Sequence, residues 1–426
     1  MYSVSLCMIV KNEEDVIGRC LESVRGMMDE IIVVDTGSED RTKEIVKQYT
    51  DKIYDFAWED DFSAARNYSF SLATGDFVMW LDADDVILEE DRLKFMEKKE
   101  KLDPELSIAM MRYNAAFDER GKPTFSYYRE RLFNRSMDFR WVGAVHEVIP
   151  LQGKIEYWDV SVTHRKISQK DPGRNLRILQ KIADSGRTMD ARQVFYYGRE
   201  LLTNGKLEKA EEVLRQYLES GAGWKENEIS ACQDLAECRT RLGDEEGAFQ
   251  ALVSSFRYDR PRPEICCKIG SFFMKREDYL TAVYWFEQAM QCETDITSGG
   301  FFSLDSSGFI PAIQLCICWD KLGDDDKAYF YHKKSEEYRP ENPSVIYNRK
   351  YFEKKMGEKT KEKQEVRISE KLLLSINEAN ALSGIGQNKL RELTLDPRCP
   401  FVLFVGRKRL IKRKAFEAFI DKELEI

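Results

Sequence analysis

The chain has 426 residues, 42% of them hydrophobic and 12% aromatic, which excludes a disordered polymer and calls for roughly two to four domains. A formal net charge of −9 excludes a general affinity of the whole chain for nucleic acid. No run reaches the ~18 apolar residues of a membrane span, and the start lacks a charged region followed by a long apolar core, so a soluble cytoplasmic protein is expected. The ten cysteines are scattered without a CxxC pair and read as reduced core thiols.

Residues 3–10, SVSLCMIV, predict a short apolar strand, after which Lys11-Asn12-Glu13-Glu14 open a helix running to about Val24. A second strand, Glu30 to Val34, ends at Asp35, and Ser38 in the following turn reads as a helix N-cap. A third strand near 52–56 and a helix over about 62–72 come next. The apolar run Phe77–Leu81 then predicts a fully buried strand that delivers Asp82, Asp84 and Asp85 at its C-terminal end. Strand and helix alternate with short connections, which argues for a parallel α/β sheet whose ligands collect at the carboxyl ends of the strands.

Three acids in four positions repel one another, and a hard divalent cation, Mg²⁺ or Mn²⁺, is the simplest neutraliser. The alternative is that they cap the next helix, since Glu89, Glu90 and Asp91 follow. Asp35 is either a ligand for a base or ribose or a turn residue. Arg66 and Asn67 are either phosphate donors or, for the arginine, one half of a surface ion pair. Neither GxGxxG nor GxxxxGK[ST] is present, so a dinucleotide fold and a P-loop are both unsupported.

The set SLCMIVKNEE (5–14), IIVVDTGSEDRT (31–42), FSAARN (62–67) and GDFVMWLDADD (75–85) resembles the family 2 glycosyltransferases of the GT-A fold. The resemblance is strongest to the branch in which this domain is joined to tetratricopeptide helices, which includes the S-glycosyltransferases that modify glycocin peptides. It implies that Asp35 contacts the base of a nucleotide-sugar, UDP being expected, while Glu13 and Arg66 define the nucleotide pocket. Val10, Asn12, Ser38, Asn67 and Ala83 complete that pocket. The Asp82–Asp84 pair is similar to the family's metal-binding acid motif, so both are expected to clasp a divalent ion bridging the diphosphate, Asp84 as the direct ligand and Asp82 nearer the ribose.

From Leu106 the pattern changes to strands, SIAMMRYNAAF and FSYYRERLFN about a turn at 119–123, which reads as a hairpin. FRWVGAVHEVI (139–149) follows, and its W-x-G-x-VHE phrase resembles a segment that family relatives place near the acceptor. Family 2 members generally invert the anomeric centre, and inversion needs a base for the acceptor's proton. Glu147 is the expected base, with His146 the third protein ligand of the metal or a donor to the diphosphate. These two assignments could be exchanged, and Asp85 is a rival base. Arg129 and Arg131 are candidates for phosphate or acceptor contacts, or are exposed strand charges.

After a last strand near Trp158–Arg165, which carries His164, four phrases recur at 201–218, 238–256, 272–290 and 316–335. Their turns at Gly205, Gly243 and Glu277 are spaced by 38 and 34 residues, near the ~34-residue tetratricopeptide period. Stacked helix pairs offer a concave docking face for a peptide or protein acceptor. The alternative is that they shield the enzyme's sheet or hold a homodimer. Tyr196, Tyr197 and Arg199 are expected near the sugar site, and the Gly/Ser-rich insertion 295–311, with Phe301 and Phe302, is expected to be a lid or a partner contact.

Residues 354–366 read as a charged linker. Beyond them the chain carries 12 basic against 8 acidic residues, and Ser375 with Glu378 forms a capping-box spacing ahead of two short helices and a two-stranded wing. This tail resembles transposon excisionases of the winged-helix type. The resemblance implies DNA contacts by Gln387, Asn388, Lys389 and Arg391 of the recognition helix and by Arg407, Lys408 and Arg409 of the wing.

The expected architecture is thus a GT-A α/β domain (1–165), an all-α tetratricopeptide-like array (166–353), a linker (354–366) and a winged helix-turn-helix domain (367–426). The expected function is metal-dependent, inverting transfer of a sugar from a nucleotide-sugar to a peptide or protein side chain. The rival is a DNA-binding regulatory protein with an accessory sugar-nucleotide domain.

Overall fold

The computed structural model describes residues 2–165, 167, 171–293, 295, 297–364, 367–396, 398–406 and 408–422, the side chains of 357–364 excepted. The chain forms two compact units, residues 1–346 and 347–426.

The first unit opens with β1 (Val4–Val10), α1 (Ile17–Ser23), β2 (Glu30–Asp35), α2 (Thr42–Val46), β3 (Ile53–Asp55), α3 (Phe62–Ser71), β4 (Phe77–Trp80) and β5 (Asp85–Val86). It continues with α4 (Glu89–Glu100), β6 (Leu106–Phe117), β7 (Pro123–Asn134) and β8 (Lys154–His164). The eight strands make one sheet in the order β3-β2-β1-β4-β7-β6-β8-β5. The first four in that order run parallel, β4 meets β7 antiparallel, and β5 closes the far edge antiparallel to β8. The sheet is therefore mixed, and its parallel half carries the continuous apolar runs.

That half is covered on both faces, which is why β4 is buried at all four positions and β1 at all but one. Leu21 of α1, Val46 of α2 and Phe95 of α4 pack with Leu6, Val33 and Met79 on one face. Tyr68 and Phe70 of α3 pack with Cys7, Ile32 and Val78 on the other. Burying apolar surface at about 25 cal/mol per Å² is what holds these layers together. Asp61 starts α3 by accepting from the Ala64 N–H at 3.0 Å, which fixes where the helix presents Arg66.

Two local expectations are corrected. The first helix begins at Ile17, because Asn12 takes a left-handed backbone (φ 55°) and the chain turns before winding. Ser38 caps no helix: its hydroxyl accepts from the Asn12 N–H at 2.9 Å, and α2 starts only at Thr42, whose N–H donates to Asp40 at 2.9 Å. Residues 139–149 form a loop pinched by a two-way bridge between Val142 and Val148.

Among the described residues nine α-helices follow: α5 (Arg174–Asp184), α6 (Ala191–Thr203), α7 (Leu207–Ser220), α8 (Lys225–Arg241), α9 (Glu245–Ser254), α10 (Pro263–Lys275), α11 (Tyr279–Gln291), α12 (Phe309–Lys321) and α13 (Asp325–Tyr338). The turns within the pairs α6–α7, α8–α9, α10–α11 and α12–α13 pass through left-handed residues, Gly205 (φ 75°), Gly243 (φ 87°), Glu277 (φ 61°) and Gly323 (φ 80°). Glu277 thus bears the backbone strain that glycine avoids in the other three. The insertion between α11 and α12 returns to the sheet, where Ser303 bridges Phe125 of β7 and the Phe301 ring meets Tyr127 edge-on at 4.9 Å. The core of the array extends onto the first domain: Val145, Phe62 and Trp58 pack with helices α5 to α10.

In the second unit, helix α14 (Pro343–Gln364), which begins four residues before it, covers most of the segment expected to be a linker; Glu365 and Val366 lie outside the described residues. Beyond it come β9 (Leu373–Leu374), α15 (Ile376–Ser383), α16 (Gln387–Leu393), β10 (Val402–Val405), β11 (Lys408–Lys412) and α17 (Arg413–Ile420). A three-stranded sheet and three short helices enclose Leu374, Ala379, Leu390, Phe401, Ile411 and Phe416. The capping box of Ser375 and Glu378 is formed.

Candidate active site

The carboxyl ends of β1, β2 and β4 lie side by side, with Val10 in register with Asp35 and Cys7 with Trp80. Asp35 is buried. One of its oxygens accepts from the Gly37 and Ser38 N–H groups at 2.9 and 2.8 Å, and among the described residues Oδ2 has no hydrogen-bond partner. An orphaned, buried acceptor at a strand end calls for an N–H or O–H from a ligand. The loop around it is tied down: Thr36 donates to the Val10 carbonyl, Thr42 accepts from the Glu13 N–H, and Asn12 accepts from the Glu39 N–H.

The acids after β4 separate by their partners. Asp82 accepts from Arg66 Nη2 at 2.8 Å. Burial works against its charge, but Arg66, Arg131 and Arg129 outweigh it and hold the carboxyl below its usual range. Asp85 is fully buried and accepts from Arg131 at 3.1 Å and from the Asp82 N–H at 3.2 Å. Asp84 remains half-open, and its Oδ1 faces His164 Nδ1 at 3.4 Å. His164 arrives there because β5 pairs with β8, setting Asp85 opposite His164. The hydrogen bonds to Asp84 and Asp85 raise the imidazole to about 9 against the opposing effect of burial.

Asp84, Asp85 and His164 can each turn one ligand atom to within 4.8 Å of the others. Carboxylate oxygens and an imidazole nitrogen are ligands that divalent cations take, so these residues fit a divalent cation. The histidine of this group is His164, whereas the sequence reading named His146. Asp82, also read as a ligand, is the partner of Arg66. Beside His164 opens a cavity of about 430 Å³ lined by Arg19, Leu88, Phe117, Thr163 and Arg165.

Arg66 is the hinge of the site. Its Nε donates to Glu147 at 2.7 Å while Nη2 serves Asp82, and its guanidinium lies 4.5 Å from the Trp80 ring and 5.0 Å from that of Trp141. A planar fork can satisfy two carboxylates and stack on rings at once, which lysine cannot do. Asn67, read as a phosphate donor, is instead paired with Trp141, donating to its carbonyl at 2.9 Å and accepting from its N–H at 2.8 Å. Arg131, read as a phosphate or acceptor contact, is buried against Asp85 and stacked on Trp80 at 3.9 Å. Arg129 lies beside Glu130, with its charge favoured by Glu130, Glu147 and Asp82 despite burial.

His146 stands next to Glu147 in the loop and faces the repeat helices. Its Nε2 pairs with Glu200 at 2.9 Å and its ring is stacked on Tyr196 at 4.0 Å. Of the residues expected near the sugar site, Tyr196 reaches it through that stack, Tyr197 donates to Gln180, and Arg199 binds Asp234 while lying over Phe301. The C-terminal unit carries Gln387, Asn388, Lys389 and Arg391 on α16. Lys408 and Arg409 open β11, and Arg409 donates to the Arg391 carbonyl at 3.4 Å. Arg407 lies outside the described residues.

Sequence reasoning passed over His164 and Glu200 as site residues. The signal for His164 was its place at the end of the last strand of the sheet, among only three histidines. Nothing in the sequence pairs Glu200 with His146.

Residues 5–151 match the model of the glycosyl transferase family 2. The chain is 30% identical over 301 residues to the TPR repeat-containing protein Synpcc7942_0270 of Synechococcus elongatus, covering 69% of this chain and 68% of that protein. It is 37% identical over 94 residues to the SPbeta prophage-derived glycosyltransferase SunS of Bacillus subtilis, 22% of each chain. The crystal structure of S. aureus TarS aligns at 14% identity over 59% of this chain and 55% of that one, with a TM-score of 0.34, too low to carry an argument. The chain belongs to the family of the TPR repeat-containing relative, its first domain is a family 2 glycosyl transferase domain, and the protein is a glycosyltransferase with a TPR-like helical array.

Proposed function

We propose that this glycosyltransferase is metal-dependent and inverting, and that it moves a hexose from a UDP-sugar to a side chain of a peptide or protein. The observation that carries the reading is the convergence, at the carboxyl ends of β1, β2 and β4, of the orphaned Asp35 oxygen with the Asp84–Asp85–His164 group. Asp35 Oδ2 would accept the N–H of the uracil, and Val10, Asn12, Glu13, Ser38 and Ala83 would frame the nucleoside. A divalent ion held by Asp84, Asp85 and His164 would supply charge neutralisation for the departing diphosphate. Arg19 and Arg165, lining the neighbouring cavity, favour the same negative charge.

Glu147 is the proposed base. It is anchored by a single arginine nitrogen and keeps 11% of its side chain exposed, so one oxygen can take the acceptor's proton. Asp85 is a poorer base, since it is closed off from solvent and locked to Arg131. Arg66 would fix the orientation of Glu147 and hold Asp82 towards the ribose. The helical array, joined to the first domain through Val145 and Phe62, is suited to present a polypeptide acceptor.

The test is a melting-temperature screen of UDP-sugars with and without Mn²⁺, followed by assay of UDP release. A ligand that binds the folded state raises the melting temperature by mass action. Failure of every UDP-sugar to shift it, or an unchanged shift in Asp84→Ala, removes the reading.

The contact between Arg409 and Arg391 sets helix α16 against the basic hairpin and favours a second role, DNA contact through the C-terminal unit. A salt-titrated shift assay with the whole chain, repeated with Lys389 and Arg391 replaced by alanine, tests it. Binding that is independent of salt and of these substitutions refutes it.

A further inference from the structure

We propose that the first helix pair of the array is part of the catalytic apparatus: Arg192, Tyr196 and Glu200 of α6 are positioning residues that lock His146 and thereby set the Glu147 carboxylate. This rests on the reading of Glu147 as the base.

The argument starts from the backbone. His146 has φ 53°, in the left-handed region that a residue with a Cβ disfavours. Such a conformation persists only where the surroundings over-determine it, and it collects at functional sites. Here every part of the residue is held. Its Nε2 meets Glu200 at 2.9 Å, its ring lies 4.0 Å from that of Tyr196 at an interplanar angle of 11°, and its carbonyl accepts from both Arg192 Nη2 at 3.1 Å and Nε at 3.3 Å. Arg192 is itself stacked on Tyr196 at 4.8 Å, and Asn175 of α5 donates to Glu200 at 3.2 Å. Burial would raise the Glu200 carboxyl, but His146 outweighs it and draws it below its usual range.

The other side of the peptide belongs to the site. The Glu147 carboxylate is tied to Arg66 at 2.7 Å, and Arg66 to Asp82 at 2.8 Å. The loop is also anchored at Trp141 by Asn67 and at Ala144, whose carbonyl accepts from the Phe62 N–H at 2.9 Å. Between these anchors, the direction in which Glu147 leaves the backbone depends on His146 staying left-handed. A residue that relaxed to an extended or right-handed backbone would swing the next side chain away from Arg66. The repeat helices therefore do more than offer a surface to an acceptor: without α6 the base has no fixed position.

The test compares Glu200→Ala, Glu200→Gln, Tyr196→Ala and Glu147→Gln in the full chain, using hydrogen exchange over residues 141–149, calorimetry of UDP with Mn²⁺, and the kinetics of UDP release from UDP-glucose. Glu200→Ala and Tyr196→Ala should speed exchange of 141–149 about tenfold or more, with β1 and β4 unchanged. They should leave UDP affinity within about twofold and lower kcat about 10- to 100-fold at constant KM, the cost of misplacing a reacting group by an ångström or so. Glu200→Gln still offers the imidazole an acceptor and should restore kcat to within about threefold.

Unchanged exchange of 141–149, an arm that needs no substrate, overturns the proposal. So does a loss of UDP affinity that parallels the loss of kcat, which would mark a merely structural role. If Glu147→Gln keeps its kcat, the assignment of the base falls; if Glu147→Gln is inactive while Glu200→Ala is not, the clamp alone falls.

Discussion

Replacing Arg66 by methionine isolates the charge of the residue at the centre of the site, because methionine preserves much of the packing between Trp80 and Trp141. The side chain is 7% exposed and is bonded to Glu147 at 2.7 Å and to Asp82 at 2.8 Å. Removing one member of a buried ion network strands its partners and typically costs about 3–5 kcal/mol. Arg129 and Arg131 remain near Asp82, so the lower end, about 3 kcal/mol, is the expectation for stability. In a unit of this size that corresponds to a fall of several degrees in melting temperature, at about 2–4 °C per kcal/mol. Urea unfolding followed by tryptophan fluorescence, to which Trp80 and Trp141 contribute among seven tryptophans, measures the loss. The double variant Arg66→Met with Glu147→Gln removes one stranded charge and should recover about 1 kcal/mol or more, a coupling that a double-mutant cycle reads out. Arg66→Met should also lose UDP-release activity by at least about 100-fold, since Glu147 no longer has a fixed orientation. A variant as stable as the parent, or a cycle with zero coupling, refutes the picture of Arg66 as the shared clamp of both acids.

Other predictions concern binding, titration and the metal. Asp35→Asn turns an orphan acceptor into a donor and should weaken UDP binding about 10- to 100-fold by calorimetry without lowering the melting temperature of the free protein by more than a degree or two. Burial would raise Glu30, but bonds from Lys52, Ser5 and Thr74 hold its carboxyl at about 2. Its folded value lies below its unfolded one, so its contribution, about 2 kcal/mol after allowing for solvent around Lys52, is present above pH ~4.5 and fades as pH falls towards 2. Glu30→Gln should therefore be less stable than the parent at pH 7 and nearly equal to it near pH 2.5, as urea midpoints would show. His164 holds its proton up to about 9, so Mn²⁺ must displace that proton. Mn²⁺ affinity should tighten about tenfold from pH 7 to pH 8, with proton release seen by calorimetry in two buffers, and His164→Ala should abolish both effects.

The legible parts of the molecule were those governed by local pattern. The run FVMW could be read as a buried strand because the parallel half of the sheet is covered on both faces, and the acids after it could be placed at its mouth. The left-handed turns at Gly205, Gly243 and Gly323 marked the repeats. Long-range pairing was not legible. His164 lies some 80 residues from Asp84 in sequence, and only the short antiparallel contact of β5 with β8 brings them together. The W-x-G-x-VHE resemblance points to His146 as a metal ligand or diphosphate donor, whereas its ring turns to Glu200 on a repeat helix. Ser38 reads as a cap, but its hydroxyl is engaged by Asn12, whose left-handed backbone is open to asparagine yet not signalled by the apolar pattern around it.

The arginines explain why three neighbouring acids need not share one role. Arg66 binds Asp82 and Glu147, Arg131 binds Asp85, and among the described residues Asp84 has no arginine within ion-pair distance. A cation approaching the cluster would therefore meet Asp84 with its charge least offset by the protein, and Asp85 and His164 are placed to complete the approach. The buried Cys20, whose sulfur donates to the Asp82 carbonyl at 3.5 Å, makes the same point from the other side: burial and then Asp85, Asp82 and Asp84 all push its thiol up, so it stays neutral and adds no fourth negative charge. Charge in the cluster is thus parcelled out: Asp82 is held by Arg66, Asp85 is shared between Arg131 and the candidate cation group, and Asp84 is the acid least offset by the protein. Exchanging those roles, by Asp84→Asn together with Arg66→Met to free Asp82, should not restore Mn²⁺ affinity, because Asp82 would still lie outside the group that His164 completes; recovery of binding in that double variant would show that the arginines, rather than the position of His164, select the ligand.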